Sequence, residues 1–286
     1  MEQIEKNKVE KSTLYLVGTP IGNLADMTER AKKILNEVDF VAAEDTRNSM
    51  KLLSCFGIHA ELVSYYEHNK RESGERIVSR LLSGESCALI TDAGMPAISD
   101  PGEDLVRLCS ESGITVKVIP GPSACVSALA LSGLPTARFA FEGFLPAQKG
   151  DRKKRLEALK NEDRTMIFYE APHKLKATLN DMLEIFGNNR KISLCRELTK
   201  LNEETERITL EGAVNTYKER EPRGEYVLVV EGGSGKSDEE NPLLSLSPED
   251  HVAHYESLGM KRMDAIKAAA KDRGISKSEL YKTLVE

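Results

Sequence analysis

The 286-residue chain has no tryptophan and only 5% aromatic residues, too few for a base-stacking platform as its main grip on single-stranded nucleic acid. It has no run of about 18 apolar residues, so no transmembrane helix is expected. Residues 1–12 are mostly charged and polar. They lack the apolar stretch of a secretory signal and read as a disordered tail. The five cysteines (Cys55, Cys87, Cys109, Cys125, Cys195) never stand at C-x-x-C spacing, and most sit in apolar runs. They read as buried, reduced thiols of a cytoplasmic protein, and no metal site is expected. His251 and His254 form an H-x-x-H pair with no third ligand nearby and read as a helix surface. There is no G-x-G-x-x-G, which disfavours a nicotinamide-dependent oxidoreductase. Gly235-Lys236-Ser237 mimics the end of a P-loop, but Val230 stands where its first glycine should be.

An excess of positive charge is also missing: the formal net charge is −6. A basic patch can still sit on an acidic protein. The densest basic run is Lys149, Arg152, Lys153, Lys154 and Arg155, followed by Lys160. Such a run is usually a solvated helix face; on this chain it is also the best candidate for contacting phosphates.

What is present is alternation. Apolar, β-branched runs predict strands over 13–19, 38–43, 87–91 and 115–119. Others follow over 139–144, 165–170, 192–196, 207–210 and 226–231. Helical patterns lie over 26–36, 72–83 and 100–111, the last with Asp100 as its cap and Pro101 at the first helical position. Residues 122–131 are apolar nearly all round and predict a buried helix. Strand–helix alternation argues for open α/β sheets. The expected organisation is an N-terminal α/β domain over 13–121, a C-terminal α/β domain over 122–232 and a linker over 233–246. A small helical tail, with a helix-turn-helix look, follows over 247–286.

Small-residue turns follow several strands, and strand ends are where open α/β sheets bind ligands. Gly18-Thr19-Pro20-Ile21-Gly22 is one; by itself it is as much a tight turn as a cofactor loop. In Thr91-Asp92-Ala93-Gly94-Met95, Asp92 is suited to accept hydrogen bonds from a ribose or an amine. The turn Pro120-Gly121-Pro122-Ser123-Ala124 opens a helix, but Pro122 removes one donor, so a neutral or zwitterionic ligand edge fits better than a phosphate. Four polar functional groups crowd the end of the second strand in Glu44-Asp45-Thr46-Arg47, although a helix cap explains them too. Tyr65-Tyr66-Glu67-His68-Asn69, 168–174 and 195–200 repeat that pattern.

These turns, in this order, resemble the tetrapyrrole-methylase superfamily, the class III S-adenosylmethionine methyltransferases, and more narrowly the ribosomal small subunit methyltransferase I family. The matching segments are LYLVGTPIGNL (14–24), EDTR (44–47), SYYEHN (64–69), ITDAGMPAISDPG (90–102), VIPGPSA (118–124), FEGFLP (141–146), FYEAPHK (168–174), CRELTK (195–200) and RGEYVLVVEG (223–232). The resemblance implies two α/β domains of tetrapyrrole-methylase type with S-adenosylmethionine in the cleft between them, and a homodimer. It implies 2′-O-methylation of a cytidine ribose of 16S rRNA near the decoding centre, on the naked rRNA or the small ribosomal subunit. On this reading Pro20, Asp92, Ala93, Gly94, Met95, Pro122, Ser123, Ala124, Tyr169 and Gly224 bind the cofactor. Glu44, Asp45, Arg47, Glu170, Arg196 and Glu197 order the target nucleotide or accept its proton, with the base left open among them. Two other readings are carried alongside: methylation of a small molecule by the same fold, and a non-enzymatic RNA-binding factor.

Overall fold

A computed structural model describes residues 8–233, 242–273 and 275–284. The chain forms two compact units, one of Met1–Lys160 with Arg164–Glu231, the other of Asn161–Asp163 with Gly232–Glu286. Most of the tail over 1–12, most of the linker over 233–246, and Gly274 as a helix stop lie outside the described residues.

The larger unit holds two five-stranded sheets. The first is built from β1 (Thr13–Val17), β2 (Phe40–Ala43), β3 (Leu62–Ser64), β4 (Cys87–Ile90) and β5 (Thr115–Ile119), all parallel in the order β3-β2-β4-β1-β5. Its connections are α1 (Glu29–Glu37), α2 (Thr46–Cys55), α3 (Lys70–Leu82) and α4 (Glu103–Glu111). Successive side chains of a strand face opposite sides. Tyr15 and Val17 pack with Ala31, Ile34 and Leu35 of α1 and Leu53 of α2. Leu14, Phe40 and Ala42 pack with Ile77 and Leu81 of α3 and Leu105 of α4. Burial on both faces is why these strands read as unbroken apolar runs.

After α5 (Ala124–Ser132) comes a mixed sheet of β6 (Phe139–Phe144), β7 (Thr165–Glu170), β8 (Lys191–Arg196), β9 (Glu204–Thr209) and β10 (Tyr226–Val230), ordered β6-β7-β10-β8-β9. Only β6 and β7 are parallel, with a bulge between Phe141 and Gly143. α6 (Lys149–Leu159), α7 (Pro172–Phe186) and α8 (Leu210–Glu219) cover one face. The other face receives Cys125, Ala128 and Leu129 of α5.

The smaller unit contains α9 (Pro248–Ser257), α10 (Arg262–Arg273) and α11 (Lys277–Thr283) around Val252, Ile266, Ala269 and Leu280. Ser247 and Ser276 cap α9 and α11 through their side chains. Among the described residues no helix is long and apolar enough to cross a membrane.

Four expectations need correction. Asp100 caps nothing: α4 starts at Glu103 behind Gly102, whose φ of +147° turns the chain into the helix. α5 is apolar all round yet only half covered, with Val126 52% and Leu131 37% exposed. His251 is not on a surface. It is fully buried, 3.2 Å from Asp272 through Nε2, with Arg273 Nε donating to its Nδ1. Finally, β3, α2, α7 and α8 escaped the sequence reading; β3 has only three residues and α2 mixes polar and apolar positions.

Candidate active site

β4, β1 and β5 are neighbours in one parallel sheet, so the turns that follow them emerge side by side. They are laced together. Thr19 and Gly94 exchange both backbone hydrogen bonds, at 2.9 and 3.1 Å, and the Thr19 hydroxyl donates to the Thr91 carbonyl. Gly18 meets Gly121 so closely that a Cβ on Gly18 would stand 2.7 Å from the Gly121 Cα. Gly18 and Gly121 serve this contact of loop on loop.

The end of β2 lies beside the end of β4. The Thr91 hydroxyl donates to Glu44 at 3.0 Å, and Asn48 Nδ2 donates to Asp92 at 3.0 Å. Asp45 caps α2: it accepts from the Arg47 backbone N–H and the Arg47 guanidinium, which together hold its carboxyl down at about 2. Asp45 and Arg47 therefore satisfy each other at a helix start.

A cavity of about 430 Å³ opens between these loops and the strand ends of the second sheet. One wall is Ile21, residues 91–95, 98–100, Ser123 and Ala124; the other is Phe144, residues 169–172, Cys195, Glu197, Leu198, Lys200 and residues 225–227. Tyr169 stands edge-on to Phe141 and Phe144, and its burial pushes the phenol up to about 12. Among the described residues five non-glycine residues have left-handed backbone, and four of them (Ala97, Ser99, Glu197, Thr199) fall in the two loops bordering this cavity. Such conformations cost on the order of 1–3 kcal/mol each and persist where the surroundings over-determine them.

Of the sequence candidates, Asp92, Ala93, Gly94, Met95, Ser123, Ala124, Tyr169, Glu170 and Glu197 line the cavity. Pro20, Pro122, Gly224, Glu44, Asp45, Arg47 and Arg196 do not. Gly224 instead makes room for Glu197, which a Cβ there would strike at 2.5 Å. Arg196 pairs with Glu204 at 3.0 Å. Glu170 is buried, accepting from the Ala171 N–H at 2.9 Å and the Thr178 hydroxyl at 2.5 Å. Glu197 accepts from Lys200 and from the Glu225 N–H, and the Lys200 hydrogen bond holds its carboxyl below the usual range. Lys200, Glu225, Phe144, Leu198 and Asp100 were missed as site residues. The first four project from strand ends whose pairing only the sheet reveals. Asp100 was hidden by a Ser-Asp-Pro-Gly string that imitates a helix start.

Burial, reinforced by the nearby Glu44 and Asp92 charges, raises the Asp100 carboxyl to about 6. Among the described residues no group of three or more His, Cys, Asp or Glu side chains is placed to hold a metal.

The basic run divides. Arg152 is 6% exposed and pairs with buried Asp181 at 2.7 Å, so it is part of the fold and is withdrawn as a phosphate contact. Lys153 pairs with Glu184 and Arg155 with Glu142. Lys149 and Lys154 are exposed and make no ion pair among the described residues.

Residues 13–214 match the family model of tetrapyrrole (corrin/porphyrin) methylases. The chain is 52% identical to the ribosomal RNA small subunit methyltransferase I of Halalkalibacterium halodurans, over 98% of this chain and 97% of the relative. It is 48% identical to that of Bacillus subtilis, over 96% and 94%. The chain belongs to the ribosomal RNA small subunit methyltransferase I family. It is thus a methyltransferase of the tetrapyrrole-methylase fold. Among solved structures it is similar to a cobalt precorrin-4 methyltransferase of cobalamin biosynthesis, with TM-score 0.57 and 16% identity over 77% of this chain and 95% of the other. A uroporphyrin-III C-methyltransferase from Thermus thermophilus gives 0.55 and 20%, over 78% and 95%. At that identity the likeness concerns the fold.

Proposed function

We propose that this protein uses S-adenosylmethionine to methylate the ribose 2′-hydroxyl of a cytidine of 16S rRNA, near the decoding centre of the small ribosomal subunit. The observation that supports the cofactor is the chemistry of the cavity, while the names of the relatives support the rRNA substrate. The cavity's volume lies within the roughly 300–1,000 Å³ of small-molecule sites. Its titratable lining includes five carboxylates (Asp92, Asp100, Glu170, Glu197, Glu225) against Lys200, which is itself held between Glu197 and Glu225. Such a site repels phosphates and suits a ligand bearing an ammonium and a sulfonium, with Ala93, Met95, Ala124, Leu198 and Tyr169 for its apolar parts. Asp92 and the backbone of residues 93–95 and 123–124 would hold it, with Tyr169 across the cleft. When bound, it supplies a methyl group whose leaving atom, a sulfonium sulfur, needs no proton. The chain's task is then to position the acceptor hydroxyl, exclude water and receive a proton.

Lys149 and Lys154 are the basic residues available for RNA phosphates, with Lys153 able to exchange its exposed partner Glu184, whereas Arg155 is tied to the buried carboxylate of Glu142. A homodimer, in the cytoplasm, completes the reading. The exposed apolar positions Val118, Val126 and Leu131 on β5 and α5 support it, since self-association would cover them. We read the larger unit as domains 13–121 and 122–232, one per sheet, with the helical tail from 247 appended.

The test is incubation of labelled S-adenosylmethionine with small subunits, naked 16S rRNA, a tetrapyrrole and a cofactor-only control in separate reactions, then mapping of the labelled product. Label on one cytidine ribose is expected. Label appearing only on added tetrapyrrole would overturn the reading in favour of a small-molecule substrate.

A further inference from the structure

The two tyrosines that follow β3 go opposite ways. Tyr65 is fully buried, and its N–H donates to the Ala43 carbonyl at 2.8 Å, which extends the ladder with β2. Tyr66 is 39% exposed and stands edge-on to exposed His68, with ring centroids 6.2 Å apart. The Tyr66 hydroxyl and the His68 ring make no hydrogen bond among the described residues.

An exposed tyrosine by itself is ordinary surface. Here, however, the backbone beneath the two rings is fixed. Asn69 accepts from the Tyr66 N–H at 2.8 Å and donates from Nδ2 to the Ser64 carbonyl at 3.2 Å. Its own N–H closes the turn on the Tyr66 carbonyl at 3.0 Å. Asn69 also stands at the start of α3, yet its side chain makes no cap there. Lys70 pairs with Glu67 of the turn at 2.8 Å and with Asp104 of α4 at 2.9 Å. The polar groups around the turn are thus spent on holding it, and the aromatic pair is left facing water.

The pair also stands near the cavity. Ser64 pairs with Ala43, so the turn emerges beside Glu44–Arg47 at the end of β2. Glu44 receives the Thr91 hydroxyl, and Asn48 donates to Asp92 on the cavity wall. β3 lies two strands from β4, so the turn is displaced by ~10 Å across the sheet from the loop that lines the cavity. A neighbouring nucleotide of the same strand can bridge that distance. Exposed Arg71 opens α3 on the far side of the turn and meets Glu75 only at 3.7 Å.

We propose that Tyr66, flanked by His68, stacks an unpaired base of the RNA substrate next to the nucleotide whose ribose enters the cavity, with Arg71 on an adjoining phosphate. The proposal rests on the reading above, that RNA is the methyl acceptor, and deepens it by naming where the strand is held. The cavity's carboxylates repel the phosphates that flank the target ribose, so the strand needs a hold outside the cavity. Stacking on an aromatic face supplies one, tolerates any base and suits single-stranded RNA, whose unpaired bases can splay outward.

The experiment uses the full-length protein in two ways. First, methyl transfer to small ribosomal subunits is measured for wild type, Tyr66→Ala, Tyr66→Phe and Tyr66→Trp, with cofactor affinity followed by calorimetry. Tyr66→Ala should raise KM for the subunit about 10-fold, leaving kcat and cofactor Kd within threefold. Tyr66→Phe and Tyr66→Trp, which keep a stacking face, should stay within threefold of wild type throughout. Second, the chain has no tryptophan, so Tyr66→Trp places its single indole in the turn. A single-stranded RNA of about ten nucleotides should quench that emission saturably, by about half, whereas its duplex and S-adenosylmethionine should not. Arg71→Ala should lower the salt slope of RNA binding by about 1.

A KM rise under threefold for Tyr66→Ala overturns the proposal, as does Tyr66→Phe failing as badly as Tyr66→Ala. Absent quenching, or equal quenching by duplex, overturns it as well. Emission that changes on dilution of the protein without RNA assigns the face to contact between copies and overturns it too. An unchanged salt slope strikes out the Arg71 contact. Wild type that methylates no RNA removes the underlying reading and the proposal together. Active wild type beside Tyr66→Ala of unchanged KM removes the proposal alone.

Discussion

The two sheets contribute opposite kinds of loop to one cleft. Loops from the parallel sheet bring Asp92, which accepts from Asn48, and Asp100, whose carboxyl is raised to about 6 by burial and the nearby Glu44 charge. Loops from the mixed sheet bring Glu170, Glu197 and Glu225, each tied to a neighbour, with Glu197 held the other way, below the usual range. The same residue chemistry thus does two jobs. In the first half it is kept available; in the second it fixes the shape of the wall. The lesson is that a carboxylate in a pocket is informative only once its donors are counted.

The largest effect that would sharpen this contrast is at Arg152, a buried charge of the second half paired with buried Asp181. Arg152→Ala leaves Asp181 buried without its partner and should cost about 3–5 kcal/mol in urea unfolding. The salt dependence of RNA binding should not change. A changed salt slope would return Arg152 to the RNA surface. Next, Gly224→Ala puts a Cβ 2.5 Å from the Glu197 side chain at a φ of +77°. A loss of about 2 kcal/mol is expected, with Glu197 displaced from Lys200. A neutral result would mean that the wall is softer than it looks.

The third prediction sets the two kinds of carboxylate against each other. Asp100 has a folded-state pKa above its unfolded value of about 3.8, so its contribution favours the fold at low pH and is lost as pH rises through about 6. Asp100→Asn should therefore raise stability at pH 7–8, by ~1–2 kcal/mol after allowance for solvent screening, and do little at pH 3.5. Glu197 has the opposite sign: its stabilisation is present above the ordinary Glu value and is lost as pH falls through its lowered pKa. Glu197→Gln should destabilise at neutral pH and become neutral in acid. Thermal unfolding across pH would show the two variants diverging; parallel curves would erase the distinction between the loops. The smallest effect is expected for Lys154→Ala, under ~0.5 kcal/mol in stability. A slightly weaker RNA affinity is expected, with a salt slope reduced by about 1.

Much of this was legible in the residues. Strands such as Cys87–Ile90 and Tyr226–Val230 are buried on both faces and advertise themselves as short apolar runs. The turns after β4 and β5 carry enough Gly, Pro and small residues to mark strand ends where ligands bind. Local patterns failed wherever a residue had two possible partners. Asp100 followed by Pro101 and Gly102 has the composition of a cap, but the helix starts only at Glu103, and the left-handed turns at Ala97 and Ser99 set Asp100 at the cleft instead. Arg152 sits among solvated lysines in sequence, yet the helical repeat turns it inward with Leu156 and Leu159 onto Asp181 of α7. His251 likewise shares a helix with exposed His254 but is enclosed by Tyr255, Asp272 and Arg273.

Periodicity, composition and turn chemistry are local quantities, and they sufficed for the α/β class and most of the strands, while the resemblance of the motifs carried the family. Which carboxylates are spent and which remain free is set by donors far away in the chain, such as Thr91 for Glu44, 47 residues apart, or Glu225 for Glu197, 28 apart. Hydrogen-bond satisfaction is a property of packed neighbours rather than of spacing along the chain. Only the folded cleft could therefore separate Asp100 from the acids around it.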